Sequence, residues 1–193
     1  MNRLANRISD YLIGLGLDAS EKEIYTYAIE GLLNSIFIFG SILAIGAALH
    51  KLHIALIWML FFLPVRHTTG GIHANSHLMC YIVSLLVGVC SMLVADSIAK
   101  ISWMLYAGLA FSLLIVFLFA PVIHPNHPLS QERIASIRKK ARIIICTECC
   151  ALLGIGFASF TPKSIIAAAL LGILSATIST FIGYLATTFI HRG

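Results

Sequence analysis

Residues 52–65 read LHIALIWMLFFLPV, residues 66–77 read RHTTGGIHANSH, and residues 78–95 read LMCYIVSLLVGVCSMLVA. A compact polar island with two adjacent glycines and three histidines is thus held between two long apolar runs. A cysteine, Cys80, follows at the edge of the second run. A span needs about 20 apolar residues, with a range of about 17–25. Residues 78–95 meet that length. Residues 52–65 are short and close on Pro64, so they read either as a full span with snorkelling ends or as a re-entrant segment.

Working outward, four more apolar runs appear at residues 31–49, 101–122, 143–160 and 165–189. Across 193 residues the chain is 59% hydrophobic and 11% charged, with a mean hydropathy of +0.95. That lies far outside soluble composition. The expected fold is all-α: a polytopic membrane protein of about six transmembrane helices, forming one integral membrane domain over residues 1–193.

The net charge of +5 then reads as basic residues flanking spans, not as a nucleic-acid surface. With six spans, one side of the membrane carries 10 of the Lys and Arg residues and the other carries Lys51, Lys100 and Lys163. The positive-inside rule puts both termini and the polar island at the cytoplasmic face. The first residues carry Arg3, Arg7 and Asp10 without an apolar core or cleavage site, so the first span is expected to serve as its own insertion signal. The five cysteines are odd in number and lie in or beside apolar runs, which argues against a disulfide framework.

Leu4, Ile8, Leu12 and Leu15 recur at helical spacing, so residues 1–19 are expected to form an amphipathic helix. It would lie on the membrane surface or pack on the protein's own bundle. Ser20 and Glu23 have capping-box spacing and are expected to start the next helix. Pro121, Pro125 and Pro128 break the chain, and residues 131–142 turn helical and basic. Residues 123–142 thus read as a basic cytoplasmic loop that attracts anionic lipid, or an acidic stretch of a substrate.

The island carries the chemistry. Cys80 follows His73 and His77, with Arg66 upstream. Nearby cations favour the thiolate form of a cysteine, and an imidazole beside a thiol can serve as its base. In a straight helix His73 and Cys80 would sit about 10 Å apart along the axis. His77 would be nearer, so His73 can act only if the chain bends. Gly70 and Gly71 permit such a bend, and their N–H groups are candidates for stabilising an oxyanion. Arg66 either marks the edge of a span or binds a peptide carboxylate or carbonyl. A zinc site on His73, His77 and Cys80 is the rival chemistry, since the two histidines have i, i+4 spacing. No His-Glu-x-x-His motif or nearby carboxylate supports it, so no metal and no cofactor is expected. Glu148, inside an apolar run, keeps a third class open: a small peptide transporter using the island as a gate.

The order Arg66…Gly70-Gly71-x-His73-Ala74…Cys80 resembles the signature of the AgrB family. Ala120-Pro121-Val122…Asn126-x-Pro128-Leu129, followed by the basic run, is similar to that family as well. The resemblance extends over essentially the whole chain. It implies a membrane cysteine endopeptidase of Gram-positive quorum sensing, acting on an AgrD-type precursor peptide. Such an enzyme removes the precursor's C-terminal tail and closes the new end on an upstream side chain as a thiolactone or lactone. It implies His73 and Cys80 as catalytic residues, Arg66 and Gly71 as important ones, and a homodimer. His77 is not part of the family's motif and keeps the choice of base open.

Overall fold

A computed structural model of the protein describes residues 2–71, 77–123, 130–157 and 161–190. Among these, the ordered elements are helical: α1 (Asn2–Gly14), a 3-10 turn (Ala19–Glu21), α2 (Lys22–Ala48), α3 (Leu52–Thr69), α4 (His77–Ile98), α5 (Trp103–Phe119), α6 (Gln131–Phe157) and α7 (Lys163–Ile190). Each of the six apolar runs lies within one helix or overlaps it closely. The segments containing α2, α3, α4 and α7 are long and apolar enough to cross a membrane. α5 is apolar but has 17 residues, and α6 begins in the basic segment, which lowers its overall apolarity.

The short second run belongs to α3, one helix of 18 residues that passes through Pro64 and includes Arg66 and His67. At 1.5 Å per residue it is about 27 Å long, close to the thickness of the hydrocarbon layer. The first four residues of the polar island are therefore helix. Side chains hold that last stretch: Thr68 Oγ1 donates to Pro64 O at 2.9 Å, and Thr69 Oγ1 to Val65 O at 2.9 Å. The proline removes only the one N–H that would have met the carbonyl a turn earlier.

α7 is the central post, and α3 packs along it. Small residues permit close approach: Ala167, Ala168, Ala169 and Ala176 are buried. A Cβ on Gly172 would lie 2.5 Å from Trp58 O and 3.1 Å from Phe62 N. Only a glycine lets these two backbones meet, as at the small-residue interfaces of membrane helices. The core falls in two clusters. One joins α3, α5, α6 and α7 around Val65, Val116, Ile145 and Ile173. The other joins α2, α3, α4 and α7 around Ile42, Trp58, Met92 and Ala168.

Helix α1 packs on α2, with Ala5 and Ser9 fully buried. Thr26 Oγ1 meets Ser9 Oγ at 2.9 Å, and Asp10 pairs with Lys22 at 2.5 Å. Of the apolar stripe, Ile8 and Leu12 are half-buried, whereas Leu4 and Leu15 face outward. The Ser20–Glu23 capping box does not form. Asp18 caps instead, its carboxylate accepting the Ser20 N–H at 2.8 Å, and the 3-10 turn then leads into α2. The Asp18 carboxylate, two residues away, accepts the Ser20 N–H that the Glu23 side chain would have accepted in a capping box.

Of the basic segment, residues 131–142 are helical and continuous with α6. Arg142 is engaged within the protein. Its Nη2 donates to Phe117 O at 3.1 Å and its guanidinium lies 4.9 Å from the Phe117 ring centroid. A cation there caps the C-terminal end of α5. Arg133, Arg138, Lys139 and Lys140 remain exposed.

Candidate active site

The C-terminal end of α3 is shaped by two glycines. Gly70 (φ 70°) and Gly71 (φ 148°) both adopt backbone angles that L side chains rarely take. Their surroundings leave no room either. A Cβ on Gly70 would lie 2.6 Å from Val122 O, and one on Gly71 would overlap Arg66 Nη1. The glycines thus let the chain turn directly under the Arg66 guanidinium. Arg66 Nη1 donates to Gly70 O at 2.7 Å. The turn is pinned from two other directions. Thr69 Oγ1 and Thr180 Oγ1 of α7 are 2.7 Å apart, and the Val122 N–H donates to Thr69 O at 2.9 Å.

A cavity of about 650 Å³ opens between α2, α3 and α4. Arg66, His67 and Gly70 reach it from α3 and its cap, and Cys80 from the first turn of α4. Cys80 is half-buried, and Arg66 lines the same cavity. Two of the pairings that hold α3 against α2 are visible in contacts. A Cβ on Gly46 would lie 3.0 Å from Ala55 Cβ, and the Phe39 and Phe62 rings meet edge-on at 6.4 Å. Phe62 stacks in turn on Trp58, centroids 4.6 Å apart. The cavity therefore has an apolar floor of Ile38, Phe39, Ile42, Trp58 and Phe62, beneath a polar level that holds Cys80 and Arg66. A volume of this size suits a ligand rather than a few waters, and mostly apolar lining with a few polar groups is the usual make-up of a binding site.

The structure thus brings Arg66, Gly70 and Cys80 onto one cavity and sets Gly71 directly behind Arg66. His73 lies outside the described residues. His77 opens α4, but the position of its side chain also lies outside them. Among the described residues no cluster of three or more His, Cys, Asp or Glu could hold a metal ion. Glu148 is buried in α6 and lines neither of the two cavities described here. The other cavity, about 180 Å³ beside the α4–α5 turn, offers no thiol, imidazole or carboxylate.

Two lining residues were passed over in the sequence. His67 stands next to Arg66 in the island, and its helical setting faces it to the cavity. Asn34 is a lone carboxamide in the apolar run 31–49, and a polar side chain at that depth was the available signal.

Fold and site together define a small polytopic membrane protein with a thiol-bearing cavity near the end of its bundle. The profile of AgrB, accessory gene regulator B, matches residues 1–183, and the chain belongs to that family. It is therefore a membrane protein of a quorum-sensing, peptidase-like family. Among curated relatives, an AgrB-like protein of Listeria monocytogenes is 28% identical over 150 residues, covering 72% of this chain and 71% of its own. One from Listeria welshimeri is 29% identical over 150 residues, covering 73% and 71%. AgrB-like protein 2 of Clostridium perfringens is 29% identical over 140 residues, covering 69% and 65%. No solved structure matches the chain.

Proposed function

We propose that this protein is a membrane cysteine endopeptidase that cleaves the C-terminal tail from an AgrD-type precursor peptide and cyclises what remains. The observation that carries the reading is the presence of Cys80, Arg66 and Gly70 on one cavity in a chain of this family. Cys80 is the nucleophile and His73 the base, with His77 the alternative base. Arg66 and the Gly70–Gly71 turn shape and support the site.

The Cys80 thiolate attacks the scissile carbonyl carbon and a tetrahedral oxyanion forms. The carbon–nitrogen bond breaks, its electron pair stays on the nitrogen, and the imidazolium of His73 protonates the departing amine. The acyl group remains on Cys80 as a thioester. His73, now neutral, takes the proton of a thiol or hydroxyl within the bound peptide as that group attacks the thioester, closes a thiolactone or lactone and returns Cys80 as thiolate beside the imidazolium. Water is the competitor at this step. Holding the peptide's nucleophile against the thioester gives effective molarities of about 10⁵ M or more, which favours closure. A cavity with an apolar floor restricts water further.

The polar end of the cavity lies at the cytoplasmic face in this reading, with both termini on the same side. The exposed part of the basic segment meets anionic lipid or the acidic tail of the substrate, and two copies form a homodimer. The test is mass spectrometry of the protein in liposomes with an AgrD-type precursor. The expected result is tail release with an acyl adduct on Cys80, lost in Cys80→Ala and His73→Ala and kept in His77→Ala. Cleavage that persists without Cys80 would overturn the cysteine mechanism. Loss in His77→Ala alone would transfer the role of base to His77.

A further inference from the structure

The packing of the helices brings one more residue to the cavity of the nucleophile. α2 and α3 run antiparallel, with Gly46 against Ala55 and Phe39 against Phe62. Each step down α2 is matched by a step up α3, so five residues beyond Phe39 bring Asn34 level with His67, and Ser35 level with Arg66. α2 and α4 run parallel. A Cβ on Gly46 would lie 3.3 Å from Met92 Sδ, and one on Gly88 would lie 2.7 Å from Ile42 Cδ1. Toward the N-termini the offset narrows, since the Ser41–Tyr81 hydroxyls meet at 2.8 Å, and Asn34 and Cys80 line one cavity within about two turns of each other along the helices.

Asn34 lines the cavity, yet it is only 7% exposed. Among the described residues its carboxamide makes no hydrogen bond. The buried side-chain atoms left without a partner among the described residues are Trp58 Nε1, Arg142 Nε and Glu148 Oε2, so the Asn34 carboxamide opens onto the cavity. A carboxamide that faces the cavity of a nucleophilic thiol has a ready use, because a side-chain amide presents N–H donors to an oxyanion.

We propose that Asn34 is a catalytic residue that donates from Nδ2 to the oxyanion formed when Cys80 attacks a carbonyl. The proposal rests on the reading of Cys80 as nucleophile. It assigns part of the oxyanion site to α2, away from the polar island. Arg66 remains with Gly70, shaping the turn, while Asn34 supplies a neutral donor that strengthens only as negative charge develops on the oxygen.

Two small probes separate this role from a structural one. Acyl transfer from p-nitrophenyl hexanoate to Cys80 passes through an oxyanion. Alkylation of Cys80 by iodoacetamide does not. Both are read at Cys80 by peptide mass mapping of the protein in detergent. Removing one oxyanion donor costs about 10²–10³ in rate, so Asn34→Ala should acylate that much more slowly and alkylate at the wild-type rate. Asn34→Leu fills the site with apolar volume and serves as the second variant should the alanine protein not fold. It should show the same split. Equal acylation by wild type and either folded variant would overturn the proposal and leave the nucleophile standing. A parallel fall in alkylation would overturn it in favour of a packing role. Failure of wild-type Cys80 to acylate, with alkylation intact, would overturn the nucleophile reading and this proposal with it.

Discussion

The two sides of α3 are packed to opposite ends. Toward α7 the helix meets a seam of alanines and Gly172 so close that backbone lies against backbone. Toward α2 and α4 it borders a cavity of about 650 Å³. The difference lies in what faces the helix: small α7 side chains on one side, and larger and polar ones around the cavity on the other. The seam fixes α3 in place, and the open side is thereby free to carry Arg66 and His67 at a fixed height without a filled core behind them.

If that division is right, substitutions on the two sides should separate activity from stability. Cys80→Ala on the cavity side should lower tail release by about 10⁴-fold or more, in line with removal of a nucleophile, with melting in detergent little changed. Gly71→Ala should come next. A methyl there displaces the Arg66 guanidinium and strains the turn. Misplacement of about 1 Å at a reacting centre can cost about 10²-fold, to be read in the same peptide assay. On the seam, Gly172→Leu should do the reverse, destabilising by about 1–3 kcal/mol or more through overpacking and lowering the melting temperature, while the protein that stays folded keeps its turnover. The smallest effect is expected for Thr180→Val. It removes the Thr69–Thr180 contact, but Thr69 still donates to Val65 O and Arg66 still holds Gly70 O. A loss of about 1 kcal/mol in denaturant or thermal unfolding fits one buried hydrogen bond. Full stability with lost turnover in Gly172→Leu would break the comparison.

Much of the bundle was legible in the sequence, because apolar length is a local property. The six runs from residue 31 onward became α2 to α7. The island's first four residues continue α3, which the polar composition did not signal. That continuation depends on Thr68 and Thr69 bonding back to the chain and on Val122 arriving from fifty residues away. The capping box failed for a similar reason, since Asp18 competes for the Ser20 amide. At the site, Arg66, Gly70, Gly71 and Cys80 could be named from spacing and resemblance. Asn34 and His67 could not. Their place on the cavity of Cys80 follows from how α2, α3 and α4 pack, and no window of sequence contains that. The same holds for Arg142, which belongs to a basic cluster by sequence and to the end of α5 by contact.

The register between α2 and α4 is set deep in the bundle, where Ile42 meets Gly88 and Gly46 meets Met92. The height of Cys80 is therefore written in the helices and not in the segment that precedes α4. Overfilling Gly88, which lies about two turns along α4 from Cys80 and outside the cavity, would shift the sulfur against α2 without substituting a residue that lines the cavity.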